Sequence, residues 1–367
     1  MNPDIRITSD DGDTLQFQIT NVNVSVANGL RRILLSSIPT VVIKTFPYVE
    51  NKCDIQVNTC RLNNEILKQR LSCIPIHLTD HSIPLDQYLV VVDKKNESDM
   101  IEYITTEDFQ IVNTTNGKNI SKSERDKIFP KNKLTGQYID FCRLRPKLSD
   151  NMEGEHVKFS ASMQLATAKE NGMFNVVSKS TYGATMDKEA AAAAWADKEK
   201  EYNASGMSAD DIEYEKKNWY LLEAYRYTVP NSFDFIVETV GVFENRQLIK
   251  MACDTMNAKL LAVLEDDNVV ISEANSTIDK CYDITLKNED YTIGKVLEFI
   301  MYTLHYEGDN TLSFVGFRKN HPHDTESVLR IAFAQQIEGD MRIIIMEYLS
   351  NAVTKAVDIY KSIDSNF

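Results

Sequence analysis

The chain opens with period-two alternation. Ile5 and Ile7, then Leu15, Phe17 and Ile19, fall at every second position on either side of the polar run at 9–13. Alternation flanking an Asp-Gly pair predicts a β-hairpin over residues 1–22. The period then changes. Val26, Leu30, Ile33, Leu34 and Ile38 sit at helical spacing and form one apolar stripe. Asn23 or Ser25 can cap this helix by accepting from its unpaired backbone N–H groups. Pro39 disfavours helix in the residue before it, so the helix is expected to stop near Ser37. Gly29 inside it costs about 1 kcal/mol relative to Ala, which predicts that another backbone approaches closely there.

Residues 41–80 read as a strand, a loop and a short helix over "NNEILKQRL". Residues 81–135 are polar and rich in Asn, Lys and Thr, and are expected to be irregular, with "SKSERDKIFPKNK" as a surface loop. Alternation returns over 136–182, as in "HVKFSASMQLA". The Ala-rich, charge-laced stretch 186–217 has high helix propensity and little apolar stripe, so it predicts one or two solvated helices. "YTVPNSFDFIVETVGVF" predicts a strand pair in which Phe233, Phe235 and Val237 alternate. A helix over 245–264 follows, with Ile249, Ala252, Cys253, Met256, Leu260, Val263 and Leu264 on one face. "EDDNVVISEANST" is polar enough to be a linker.

The order then restarts. "KCYDITLKNED" predicts a strand and turn. Ile293, Leu297, Ile300, Met301 and Leu304 predict a helix, and "TLSFVGFRKNHPHDTESVLRIAF" a hairpin around His-Pro-His. A long last helix carries Ile345, Leu349, Ala352, Val353, Ala356, Tyr360 and Ile363 in phase. The chain thus holds two copies of one order: strand, amphipathic helix, strands, long helix. The first copy occupies 1–46 and 224–270, interrupted by residues 47–223, an insertion long enough to be a domain. The second occupies 278–367. A thin sheet with one or two helices cannot bury such wide apolar faces alone. The two copies are therefore expected to pack on each other about a pseudo-twofold axis.

Composition narrows the function. The net charge is −14, with 54 acidic and 40 basic residues. That balance argues against nucleic-acid binding by the whole surface and against a polybasic membrane anchor. The opening residues hold no apolar secretory core, and no apolar run of about 20 residues that could span a membrane occurs. The six cysteines form no C-x-x-C pair, so buried reduced thiols are expected and no metal or cofactor. Phosphate-loop, nucleophile-elbow and H-E-x-x-H motifs are absent. The nearest approach to a catalytic aspartate loop, Asp10, Asp11 and Asp13 around Gly12, belongs to the first hairpin turn.

Several stretches go beyond periodicity. "VSVANGLRRILLSSIPT" resembles the signature of the α-like subunits of cellular RNA polymerases. "NNEILKQRLSCIPI" is similar to the segment that follows it in archaeal and eukaryotic members, with Cys73 where glycine is common. "CRLRPKLSDNMEGEHVKFSAS" resembles the family's Leu-Arg-Pro segment, and "PNSFDFIVETVGVF" its return into the dimerisation domain. "DITLKNEDYTIGKVLEFIMYTL" and "VGFRKNHPHDTESVLRI" look like the helix and hairpin of the smaller partner.

The resemblance implies an α+β fold of two α-like dimerisation modules, the first interrupted by a mainly β inserted domain. It implies the third-largest and eleventh-type subunits fused head to tail, as in large cytoplasmic DNA viruses of eukaryotes. The implied function is a non-catalytic assembly platform of a DNA-directed RNA polymerase. Its partners would be the two largest subunits and small subunits, with DNA met only through the complex and no membrane. Location would be intracellular, in the virion and host cytoplasm, with the nucleus as the alternative. The interface candidates so implied are Asn28, Arg31, Arg32, Ile38, Glu65, Arg70, Thr292, Gly294, Leu297, Phe317, His321 and Arg330.

From the residues alone, Arg31 and Arg32 read either as a solvated basic pair or as a docking face, since guanidinium suits bidentate pairing. His321 and His323 lack further ligands at motif spacing and read as exposed turn imidazoles. Two rival readings are a scaffold of another multiprotein complex built on fused α+β modules and a stand-alone enzyme with its site in the inserted domain.

Overall fold

The computed structural model describes residues 1–147, 149 and 153–367. In chain order the elements are β1 (Asp4–Asp10), β2 (Thr14–Thr20), α1 (Val24–Ser36), β3 (Thr40–Val42), β4 (Cys53–Asn58), α2 (Asn64–Ser72), β5 (Tyr88–Lys95), β6 (Glu102–Thr105), β7 (Gln110–Asn113), β8 (Lys118–Asn119), α3 (Lys122–Ile128), β9 (Asp140–Leu144), β10 (His156–Ser162), β11 (Gln164–Ala166) and β12 (Val177–Met186). Then come α4 (Lys188–Ala204), α5 (Ala209–Leu221), β13 (Thr228–Thr239), α6 (Asn245–Ala262), β14 (Val269–Glu273), β15 (Cys281–Lys287), α7 (Tyr291–Met301), β16 (Leu312–Arg318), β17 (Glu326–Phe333) and α8 (Met341–Asp364). Four residues of the Leu-Arg-Pro segment, at 148 and 150–152, lie outside the described residues.

The chain divides into two compact units. One is discontinuous and gathers residues 1–34, 179–238 and 245–367; the other holds 35–178 and 239–244. These bounds differ from the expected 46 and 223, because β12 and the helices after it belong with the first sheet.

The discontinuous unit contains two four-stranded sheets, ordered β1-β2-β13-β12 and β14-β15-β17-β16. Numbered from its own first strand, each runs 1-2-4-3. Each has a helix after its second strand (α1, α7) and a long helix after its fourth (α6, α8). The second copy starts earlier than expected: β14 pairs along β15, with Ile271 opposite Ile284, so the middle of the expected linker is an edge strand. Val269 is buried there and holds it in place. The expected strand pair over 227–243 is instead one long strand, β13, with Phe235 opposite Phe17.

The opening hairpin forms, with Ile7 opposite Phe17, and α1 ends at Ser36, before the Ile-Pro pair. Between β12 and β13, α4 and α5 do face solvent, yet they enclose a small core of Ala191, Trp195, Ile212, Trp219 and Ala224. α7 continues as a π-helical turn over Tyr302–Gly308. Within it His305 is buried against the ring of Tyr348.

The other unit is mainly β. Its five-stranded sheet runs β4-β10-β5-β7-β8, and β3 with β11 and β6 with β9 form two small ladders. Strict alternation of buried and half-buried positions along β10 gives the sheet a core face. Phe109 lies at the centre of that core, with Phe129, Phe141 and Phe159 edge-on at 5.4, 5.7 and 5.8 Å. Residues 81–135 are more regular than their composition suggests, because Val90, Val92, Ile104 and Ile111 feed this core. The expected surface loop at 121–133 begins with α3, whose capping box joins Ser121 to Glu124.

Candidate functional site

Residues from both ends of the chain meet in one seam inside the discontinuous unit. Gly29 explains how closely. A Cβ at that position would lie 2.6 Å from the Tyr360 hydroxyl and 2.8 Å from the Met256 methyl. The neighbour that requires glycine is thus a pair of side chains, where a second backbone was expected. Tyr360 is fully buried, and its hydroxyl donates to the Val26 carbonyl at 3.1 Å. Burial drives the Tyr360 phenol well above its ordinary pKa, so it stays a neutral donor. α6 and α8 pack along one another. They bury Ala252, Cys253 and Met256 on one side, and Leu349, Ala352, Val353 and Ala356 on the other. Small residues on both faces let the helices approach. Burial also pushes the Cys253 thiol up, which suits a packed thiol.

Polar contacts rim the seam. Arg32 Nε donates to Thr292 Oγ1 at 2.7 Å, and its Nη2 to Asp290 Oδ2 at 2.7 Å. Asp290 is also the N-cap of α7, accepting from the Thr292 amide at 2.8 Å. Burial alone would raise the Asp290 carboxyl. The Thr292 hydrogen bonds and the Arg32 charge outweigh it, and the group sits below the ordinary aspartate range. Lys259, at the end of α6, pairs with Glu289 at 2.5 Å. At the other end Phe367 meets Phe17 edge-on, with centroids 5.0 Å apart.

The twelve candidate residues fall into different settings. Three pairs among them meet: Arg32 with Thr292, Asn28 with Arg31, and Gly294 with Phe317. Arg32 is committed to α7, whereas a docking arginine was expected. Ile38, Gly294 and Leu297 are buried, so direct contact with another chain is closed to them and they act through packing. Gly294 lies under Phe317, whose ring would be 2.0 Å from a Cβ there. Arg330 makes a two-pronged pair with Asp283 at 2.6 and 2.7 Å. Arg70 donates to the carbonyls of Phe141 and Asp140 at 2.7 and 2.9 Å, clipping α2 to β9. Asn28 and Arg31 pair with each other at 2.9–3.0 Å on the half-exposed face of α1. Glu65 and His321 are exposed.

Tyr360 was legible as a member of an apolar stripe but not as a partner of Val26. Met256 was likewise legible only as a stripe residue, and Asp290, Lys259 and Glu289 were missed. Only Asp290 carried a local signal, an N-cap residue directly before the Tyr-Thr-Ile-Gly run. Among the described residues no three His, Cys, Asp or Glu side chains converge as metal ligands, and no helix is long and apolar enough to cross a membrane. The seam offers mutual burial, and its Cys253 thiol is fully buried and held toward the neutral form.

Comparison with known proteins finds relatives of part of the chain. A family model described as the RNA polymerase Rpb3/Rpb11 dimerisation domain matches residues 16–260. DNA-directed RNA polymerase subunit Rpo3 of Pyrococcus horikoshii is 23% identical over 265 residues, covering 68% of this chain and 91% of that protein. DNA-directed RNA polymerases IV and V subunit 3B of Arabidopsis thaliana is 36% identical over 74 residues, 20% of this chain and 21% of that protein. DNA-directed RNA polymerases I and III subunit RPAC1 of Mus musculus is 38% identical over 66 residues, 18% of this chain and 17% of that protein. The matches to the plant and mouse proteins therefore span about a fifth of those relatives.

Proposed function

This chain belongs to the RNA polymerase Rpb3/Rpb11 dimerisation-domain family, and from that premise we propose that it is a non-catalytic assembly subunit of a DNA-directed RNA polymerase. In this reading the chain is its own dimer. The β1-β2-β13-β12 sheet with α1 and α6 forms a third-largest-subunit-like module, the β14-β15-β17-β16 sheet with α7 and α8 an eleventh-type module, and residues 35–178 are inserted in the first. The observation that carries the reading is the pair of sheets with one strand order and matching helices, joined through Gly29, Tyr360, Arg32 and Asp290.

Fusion has a thermodynamic meaning. Two separate subunits lose translational freedom when they pair. A tether replaces that encounter with a local concentration of order mM. The joined pair then presents one surface to the two largest subunits, with small subunits bound beside them and DNA reached only through the complex. Asn28, Arg31, Glu65 and His321 are the proposed docking residues, since they retain exposed surface. The fused arrangement is proposed to come from a large cytoplasmic DNA virus, with the protein in the virion and host cytoplasm.

Affinity purification of the tagged chain from its source tests the proposal. It should bring down two chains much larger than this one, together with template-dependent nucleotide incorporation. Recovery of the chain alone, or with proteins that incorporate no nucleotide, contradicts it.

A further inference from the structure

Within the mainly β unit the arginines are unevenly placed. The unit has five: Arg61, Arg70, Arg125, Arg143 and Arg145. All but Arg125 line one cleft of about 320 Å³, together with Leu62 and Tyr103. Arg125 is spent elsewhere, on Asp126 at 2.7 Å. A chain of net charge −14 thus concentrates guanidinium groups at a single concave place.

The four groups divide by task. Arg70 is held by the carbonyls of Phe141 and Asp140. Arg145 pairs with the buried Glu155 at 2.5 Å, whose second oxygen accepts from the Arg145 amide at 2.7 Å. These two form the wall. Arg61 and Arg143 are exposed and have no hydrogen-bond or ion-pair partner among the described residues. Arg61 stands in the loop before α2, and Arg143 lies on β9 directly opposite Tyr103 of β6. Carboxylates in the cleft are Asp140 and Glu155. Among the described residues, four guanidiniums against two carboxylates leave an excess of two positive charges.

We propose that this cleft is a docking site for an acidic peptide segment of a partner protein, in which Arg61 and Arg143 take carboxylates and Leu62 and Tyr103 receive a neighbouring apolar side chain. A free guanidinium presents a planar fork that matches a carboxylate with two parallel hydrogen bonds. A short concave site with one aromatic ring suits a peptide turn. A single strand of nucleic acid needs a continuous basic track with several stacking rings, and the acidic remainder of the chain repels phosphate. This inference stands on the cleft itself and does not depend on the assembly reading.

The test uses the full chain and a fluorescein-labelled decapeptide alternating glutamate with leucine and tyrosine. Its glutamine counterpart and a ten-nucleotide oligo-dT serve as controls, all measured by anisotropy. The glutamate peptide should bind, and the Arg61→Gln/Arg143→Gln double variant should bind it about tenfold to a hundredfold more weakly, as loss of charge-assisted hydrogen bonds implies. Both residues are exposed and unpaired, so circular dichroism of the variant should match the parent. Equal binding by parent and double variant, absence of binding by the parent, or tighter binding of oligo-dT than of the peptide overturns the proposal.

Discussion

The Tyr360 hydroxyl donates to the Val26 carbonyl across 334 positions of sequence. No local rule produces this contact, yet it sits where the first helix of the chain and the last one close on each other. Gly29 supplies the room. Gly29→Ala improves intrinsic helix propensity by about 1 kcal/mol, but the added methyl meets the hydroxyl and the Met256 methyl well inside van der Waals distance. Net destabilisation of about 1–3 kcal/mol is expected in urea unfolding. Combining it with Tyr360→Phe should recover part of the loss, because the nearer clashing atom is removed. A strictly additive double-mutant cycle would refute the direct contact.

Asp290 gives the seam a pH dependence. Its folded-state pKa is depressed, so its contribution is complete above the ordinary aspartate value and is lost as pH falls through the folded value. Asp290→Asn should therefore lower stability near neutral pH, and the gap to the parent should close on acidification below about pH 4, the ordinary aspartate range. Asparagine still caps α7 and the Arg32–Asp290 pair is about one-third exposed, so the gap at neutral pH reports the lost charge and should be under about 1 kcal/mol. A gap that widens toward low pH would contradict the assignment.

The chain's two tryptophans, Trp195 and Trp219, both lie in the small core under α4 and α5. Trp219→Ala should empty that core, at a local cost of about 3–5 kcal/mol. Limited proteolysis should then cut between 187 and 227, while the two sheets keep their hydrogen-exchange protection. Loss of protection throughout the chain would show that this hairpin supports the whole unit.

Arg31 and Arg32 should separate experimentally. Arg32→Glu places a carboxylate beside Asp290 and is expected to lower stability. Arg31→Glu touches only its pairing with Asn28. It should leave stability within about 0.5 kcal/mol, as surface changes generally do. In the proposed function Arg31→Glu reduces capture of the second-largest subunit in a pull-down. Full capture by a folded Arg31→Glu protein would remove Arg31 from the docking face.

Periodicity made much of this architecture legible. The stripe from Val26 to Leu34 and the phased residues from Ile345 to Ile363 are the buried faces of α1 and α8. The repeated order of elements reappears as two sheets of one topology. Misreadings arose where polarity stood in for conformation. β14 looked like a linker because it is an edge strand with one buried residue, Val269. α3 looked like a loop because its signal was a capping box and not an apolar stripe. In the seam, Gly29 announced a close approach without saying to what. The link from Arg32 to Asp290 spans 258 positions, and no spacing rule reaches that far.

The most direct measurement cuts the connection between the two halves. A protease site inserted after Leu264, ahead of β14, leaves both sheets whole. After cleavage under native conditions, the two fragments should still elute together from size exclusion as a one-to-one pair and separate only in denaturant. Fragments that part at once, each monomeric and retaining its own folded core, would contradict the account.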